Sequence, residues 1–260
     1  MQPQDNVAAL PDIRLAYWDT GGDGPVVVLS HAASGSKDVW EYQLPPLLAA
    51  GYRVIAYSRR GYLGSDCGPE DSPGTGSGDL LALLDHLGVA RYHLVGTAAG
   101  AIVALDFALS HPERLESVTF ACTILGIVDA DYAALTARLR PPGFAEMPVE
   151  FLELGPSYRA ENPEGLARWL ALEHRAIPGR RVRQGTANRI TWDALRGMRV
   201  PCLLVAGDAD LWSPPSVLRL FARHLPNSEA VVIAEAGHSA YWEQPAAFNA
   251  ALLGFLSRQR

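Results

Sequence analysis

Short apolar runs alternate along the chain with segments in which apolar residues recur at helical spacing. The runs at residues 13–18, 26–30, 53–57, 92–95, 115–121, 202–206 and 230–234 have the length of strands, and turn residues bound the central ones. Helices are predicted at residues 40–50, 77–87, 99–110, 216–225 and 245–258. This alternation predicts an α/β fold with a mostly parallel sheet that helices cover on both faces.

The alternation stops between residues 125 and 190. This segment is rich in alanine, leucine, arginine and glutamate, is interrupted by prolines and contains no clear strand. Short helices are predicted at residues 130–139, 148–154 and 163–174. We therefore expect residues 1–124 and 191–260 to form the two parts of one core domain, with residues 125–190 as a helical lid over the carboxyl end of the sheet.

Composition narrows the function classes. The 260 residues are 48% hydrophobic and 19% charged, and their formal net charge of −6 argues against a nucleic-acid or anionic-membrane surface. No apolar run has the length of a membrane span, and the first residues lack the order of a signal peptide, so we expect a cytoplasmic protein. The three cysteines are scattered, and no cluster has metal-ligand spacing. We expect a small-molecule substrate, no cofactor and no metal, with homo-oligomerisation left open.

The most informative motif is Val-Gly-Thr-Ala-Ala-Gly-Ala at residues 95–101, between a predicted strand and a predicted helix. In this context a Gly-x-Ser-x-Gly turn presents a nucleophilic serine above a sheet. Here the central position is Ala98, and the neighbouring Thr97 is not expected to replace the missing hydroxyl. The chain is either a variant whose serine was replaced or a natural protein that lost or never used it.

Two further groups follow the elbow in the order acid and then base, which is one of the chain orders in which catalytic triads occur. Asp208 and Asp210 follow the predicted strand 202–206, and His238 follows the last predicted strand. A serine needs a histidine to take its proton, and the histidine needs an acid to orient it. We assign Asp210 as the acid, Asp208 as a turn-supporting residue and His238 as the base.

The remaining site predictions concern the oxyanion hole and the pocket walls. The loop after strand 26–30 begins His31-Ala32-Ala33, and the amides of Ala33 and Ala99 are the predicted oxyanion donors. His31 is expected to brace this loop. The candidate substrate-binding walls, any of which could instead be core, are Trp40, Trp169, Trp212 and Tyr241.

The chain resembles the small bacterial α/β-hydrolases, a group that includes 3-oxoadipate enol-lactonases, carboxylesterases and hydrolases of meta-cleavage products. The resemblance covers nearly the whole length, through the 31–40 loop, the Arg-Gly turn at residues 59–65, the elbow and Gly237-His238. It implies an α/β-hydrolase fold and the site roles assigned above. The chain departs from the family at the alanine of position 98 and at the alanines of the oxyanion loop.

These observations predict a serine hydrolase of a small ester or lactone, or of a carbon–carbon bond in a diketone. It would be present here as an inactive variant with Ala98 at the nucleophile position. The alternatives are a natural non-hydrolytic member of the fold, such as a cofactor-free oxygenase or a lyase that uses the His–Asp pair alone, or a binding or sensor protein without catalysis.

Overall fold

One eight-stranded sheet organises the computed structural model, which describes residues 3–259. The strand order is β1-β2-β4-β3-β5-β6-β7-β8. Strand β2 pairs antiparallel with both β1 and β4, and all other neighbouring strands pair parallel. The strands are β1 Gln4–Ala9, β2 Arg14–Asp19, β3 Val26–Ser30, β4 Arg53–Tyr57, β5 Tyr92–Thr97, β6 Leu115–Ala121, β7 Cys202–Gly207 and β8 Ser228–Ile233. The predicted α/β class is confirmed.

Eleven α-helices occur in the described residues. They are α1 Leu44–Ala49, α2 Gly76–His86, α3 Ala99–Ser110, α4 Ala130–Leu139, α5 Val149–Glu153, α6 Pro156–Glu161, α7 Pro163–Ala176, α8 Trp192–Gly197, α9 Pro215–His224, α10 Ala240–Glu243 and α11 Pro245–Ser257. None is long and apolar enough to cross a membrane.

The differences from the predicted elements have local causes. Strand β1 was missed because its sequence is polar and five of its six residues are exposed, as an edge strand permits. The predicted helix at 40–50 begins only at Leu44, after a 3₁₀ turn. Pro45 and Pro46 lack an N–H and fit only the first helical turn. The short helices α6, α8 and α10 were also not predicted.

Alternate residues of the parallel strands pack into two separate cores. Val28 of β3 and Leu94 of β5 belong to one buried cluster, whereas Val27 and Val95 belong to the other. Every residue of β5 is buried. Because both faces of these strands are covered, they read as continuous apolar runs rather than as alternating ones.

The strand order reverses between β3 and β5, which are neighbours although β4 lies between them in sequence. At such a switch point the loops leaving the carboxyl ends of the strands diverge and leave a crevice. The loops after β3, β5, β7 and β8 carry the residues predicted to be functional. Parallel pairing brings these loops to one edge of the sheet.

Residues 125–190 contain helices α4 to α7 and no named strand. An isolated bridge joins Gly185 to Thr75. The segment contacts the loop after β8, where the N–H of Ser239 donates to the carbonyl of Glu153 at 3.0 Å. Its role as a lid, and its boundaries as a unit, remain predictions.

Candidate active site

The predicted elbow is a strained turn between β5 and α3. Ala98 has φ 50° and ψ −115°, a region that non-glycine residues rarely adopt. A Cβ on Gly96 would lie 2.6 Å from Ala101 Cα, and one on Gly100 would lie 2.1 Å from the Ser30 carbonyl oxygen. The two glycines are therefore required for the close approach of α3 to β5 and β3. Ala98 itself is half-buried.

Asp210 and His238 form the predicted pair. His238 Nδ1 lies 2.9 Å from Asp210 Oδ1 and 2.8 Å from Oδ2. Both residues are buried: His238 is 6% exposed and Asp210 is 3% exposed. Nδ1 donates to the carboxylate, which leaves Nε2 as the nitrogen able to accept a proton. Asp208 Oδ1 accepts instead from the Ala236 N–H at 3.3 Å, as expected of a turn-supporting residue.

The acid loop is held by hydrogen bonds and is connected to the elbow. Asp210 Oδ1 accepts the backbone N–H groups of Trp212 and Ser213 at 2.8 and 2.9 Å. Ser213 Oγ donates to the Thr123 carbonyl at 2.7 Å, and Thr123 Oγ1 donates to the Ala98 carbonyl at 2.9 Å. This chain of hydrogen bonds fixes the elbow and the acid relative to each other.

A second carboxylate influences the histidine. Burial would lower the pKa of His238, but the charges of Asp210 and Glu153 outweigh it and raise that pKa to about 9. Glu153 comes from the end of α5, and its Oε2 accepts from Ser34 Oγ at 3.2 Å. Burial raises the pKa of Glu153 as well, although His238 opposes this effect.

Glu243 holds the histidine loop from behind. Its carboxylate accepts the N–H groups of Gly237 and Ser239 from that loop, and the N–H of Gly155 at 2.6 Å. The side chain is buried, and desolvation raises its pKa to about 7 in spite of these hydrogen bonds. One acidic residue thus joins the His238 loop to the helices of residues 125–190.

The loop after β3 is braced by His31, as expected. His31 Nδ1 donates to the Ala32 carbonyl at 2.7 Å, and Nε2 accepts the Arg59 N–H at 3.0 Å. Burial holds the pKa of His31 well below its ordinary value, and the nearby Arg59 charge adds to this effect, so the ring is neutral. The amide of Ala33 donates to no other residue between 3 and 259, and the amide of Ala99 begins α3 without an intrahelical acceptor. Their role as oxyanion donors stays a prediction.

The four candidate wall residues are separated by the structure. Trp212 lies at the site, with its ring centroid 6.0 Å from that of His238. Trp40, Trp169 and Tyr241 are 1–2% exposed and belong to one buried cluster, in which the Trp40 and Tyr241 ring centroids are 5.0 Å apart. Trp40 also lines a cavity of about 730 Å³. The role of all four residues as substrate-binding walls stays a prediction.

One sizeable cavity is not the site of the Asp–His pair. It has a volume of about 730 Å³ and is lined by Trp18, Lys37 and Arg168 among others, but by neither Asp210 nor His238. The candidate site is therefore located by the Asp210–His238 pair and not by the volume of a cavity. No group of histidine, cysteine and acidic residues in the described chain is arranged to hold a metal ion. The three cysteines are free, and two of them are buried.

Sequence reasoning missed Thr123, Glu153 and Glu243. None of them belongs to a recognisable motif, and each reaches the site from a different part of the chain. The only available signal is a glutamate embedded in an otherwise apolar or aromatic helix, as in Ala-Tyr-Trp-Glu at residues 240–243. Such a residue needs buried hydrogen-bond partners.

Comparison with known proteins supplies the family. A family model described as "Alpha/beta hydrolase family" matches residues 27–251. Epoxide hydrolase A of Mycobacterium tuberculosis is 29% identical, with 98% of each chain covered. A 2-hydroxy-6-oxononadienedioate/2-hydroxy-6-oxononatrienedioate hydrolase of Burkholderia vietnamiensis is 29% identical and covers 95% of this chain and 92% of its own. The solved structure of an esterase from Thermogutta terrifontis has a TM-score of 0.80 at 27% identity and covers 98% of this chain and 99% of its own. The chain therefore belongs to the alpha/beta hydrolase family, with alanine at the elbow position where the motif carries its serine.

Proposed function

We propose that this site is built for hydrolysis of a small ester or lactone, or of a carbon–carbon bond in a diketone, through an acyl-serine intermediate. The present chain would hold the substrate without completing that route, because Ala98 occupies the nucleophile position. The observation that carries the proposal is the buried Asp210–His238 hydrogen bond at the same sheet edge as the strained elbow. The relatives named as a dioate hydrolase and an esterase support a hydrolytic reaction.

The roles of the residues follow from their chemistry. With serine at position 98, the neutral form of His238, which becomes populated as pH rises towards about 9, takes the hydroxyl proton on Nε2 as the oxygen attacks the carbonyl carbon. Asp210 orients the ring and stabilises the imidazolium. The amides of Ala33 and Ala99 bind the oxyanion, and His238 then protonates the leaving group. Water attacks the acyl-serine in the second half, again with His238 as base.

The test is Ala98→Ser. The substitution adds one oxygen at a backbone position that already has the required φ, so the fold should be unchanged. Loss of the nucleophilic serine costs the serine protease subtilisin roughly a million-fold in turnover, so a gain of several orders of magnitude is expected here on p-nitrophenyl butyrate. Covalent labelling by a fluorophosphonate probe should appear with it.

Two controls decide the assignment. The chain with Ala98 keeps the buried hydroxyl of Thr97 and should not be labelled. The Ala98→Ser/His238→Ala protein should lose turnover and labelling while still binding substrate. A correctly folded Ala98→Ser protein that neither reacts with the probe nor hydrolyses esters or lactones would refute the nucleophile assignment.

A second candidate function is proton transfer by the Asp210–His238 pair without a nucleophile, as in an oxygenase or a lyase. The observation in its favour is that the pair is intact and buried beside an alanine. In that case the chain with Ala98 is itself active, and His238→Ala removes the activity. If neither this chain nor Ala98→Ser turns over any substrate that it binds, a binding or sensor role is favoured instead.

A further inference from the structure

A cavity of about 370 Å³ lies beside the elbow. It is bounded by the first turn of α2, by one face of α3 and by the segment 181–186, and Ala99 contributes to its lining. Ala99 directly follows Ala98 in the chain, whereas Asp210 and His238 are not among the lining residues. Its volume falls within the range of small-molecule sites.

Positive charge is concentrated around this cavity although the chain as a whole is acidic. Its lining includes Arg59, Arg60, Arg181 and Arg183, with Asp106 as the one acidic residue. The net charge of the chain is −6. Four arginines around one cavity are therefore not a consequence of overall composition.

The two nearby carboxylates do not neutralise all four guanidinium groups. Asp79 forms a bidentate pair with Arg60, with both N–O distances at 2.7 Å. Asp106 is used by the Ser77 hydroxyl and by the backbone N–H groups of Ala187 and Asn188. Set against these two acids, the four arginines leave two positive charges in excess.

The other three arginines form no ion pair among residues 3–259, although Arg59 Nη2 donates to the Tyr62 hydroxyl at 3.4 Å. Arg59 packs against the Tyr62 ring, with 4.7 Å from its guanidinium carbon to the ring centroid. Its Nε is buried and has no hydrogen-bond acceptor among residues 3–259. Arg181 and Arg183 are exposed and make no hydrogen bond or ion pair within the described chain. A buried N–H donor without an acceptor is costly unless a ligand supplies one.

We propose that this cavity is an oxyanion-binding subsite of the same active site, in which Arg59, Arg181 and Arg183 bind a carboxylate or phosphate group of the substrate. Planar guanidinium groups match the oxygens of both anions and form charge-assisted hydrogen bonds with them. The substrate thus carries an anionic group at one end and its scissile bond at the elbow. That the bound anion is part of a substrate rests on the proposed function, whereas anion binding by the cavity does not.

Calorimetric titration of the unsubstituted chain, with Ala98, at low ionic strength tests the binding directly. Succinate and inorganic phosphate are the two probes, and neutral succinamide is the control ligand. Saturable binding of at least one anion, and none of succinamide, is expected. The preferred anion distinguishes a carboxylate subsite from a phosphate subsite. Absence of saturable binding by both anions overturns the proposal.

Two matched variants separate a specific site from general attraction. Arg183→Gln removes a cavity arginine at an exposed position and should weaken binding about tenfold. Arg180→Gln removes the same charge from the same segment, but Arg180 contacts the Gly68 carbonyl and Glu70 and does not line the cavity. It should change binding by less than about twofold. Equal weakening by both variants overturns the proposal.

The link to catalysis is tested in the Ala98→Ser protein with two esters of equal acyl length, p-nitrophenyl hemisuccinate and p-nitrophenyl butyrate. The ratio of their kcat/KM values should favour the hemisuccinate, should fall about tenfold in Arg183→Gln and should be unchanged in Arg180→Gln. Turnover of neither ester refutes the proposed function, and the titrations then still decide the subsite. Turnover of both esters with equal ratios in all three proteins refutes the subsite alone.

Discussion

Gly100→Ala probes the contact on which the elbow depends. An added Cβ would lie 2.1 Å from the Ser30 carbonyl oxygen and 2.6 Å from that of His31. Both oxygens are main-chain atoms at the carboxyl end of β3, so neither can rotate away as a side chain would. Helix α3 must therefore move away from β3 by about 1 Å or more to reach an ordinary contact distance.

The expected cost is large for one methyl group. Overpacking in well-packed interiors costs about 1–3 kcal/mol, and a clash with two backbone oxygens belongs at the upper end, at about 3 kcal/mol. For a chain of this length each kcal/mol corresponds to about 2–4 °C in Tm, so we expect Tm to fall by about 6–12 °C. The shift of α3 also displaces the Ala99 amide, so Ala98→Ser/Gly100→Ala should be less active than Ala98→Ser.

Differential scanning calorimetry measures the first effect, and p-nitrophenyl butyrate hydrolysis measures the second. Gly197→Ala is the matched control, because it makes the same chemical change at the end of α8, where an added Cβ meets no atom within 4 Å. That variant should be neutral or stabilised by about 0.5 kcal/mol, since alanine restricts the unfolded chain. If Gly100→Ala melted within about 1 °C of Gly197→Ala, the close approach of α3 to β3 would be wrong.

Three further predictions concern the charged groups. Asp210→Asn in the Ala98→Ser protein should lower kcat about 10⁴-fold with the fold intact, because the histidine loses its orienting acid; an unchanged kcat would exclude this acid. The pKa of His238 is raised to about 9, so the His238 imidazolium stabilises the fold fully below pH 6.5, and this contribution is lost as pH rises through about 9. NMR titration of the ring should give that midpoint in wild type and a lower one in Asp210→Asn. Asp79→Ala should cost about 3–5 kcal/mol in urea unfolding, because it leaves buried Arg60 unpaired, whereas Glu116→Ala at an exposed ion pair should cost less than about 1 kcal/mol.

The parts of the site that could be predicted from sequence are those written in local patterns. Buried parallel strands are continuous apolar runs, so most strands and the fold class were readable. Gly96 and Gly100 indicate a tight turn at Ala98, because a Cβ at either position would clash with the backbone. Asp210 and His238 lie in the loops that follow β7 and β8. Strand β1 was not readable, because an exposed edge strand needs no apolar pattern.

Tertiary packing decided the rest. Two carboxylates follow β7, and the sequence favoured Asp210 as the acid; in the folded chain Asp210 contacts His238, and Asp208 accepts from the Ala236 N–H. Glu153 and Glu243 approach the histidine from helices outside its loop, and three of the four aromatic candidates are almost fully buried. The arginines that line the cavity of about 370 Å³ come from residues 59–60 and 181–183, which are far apart in sequence. The pattern along a chain specifies which face of an element is buried, but not which distant side chains meet there, because that depends on how the elements pack in three dimensions.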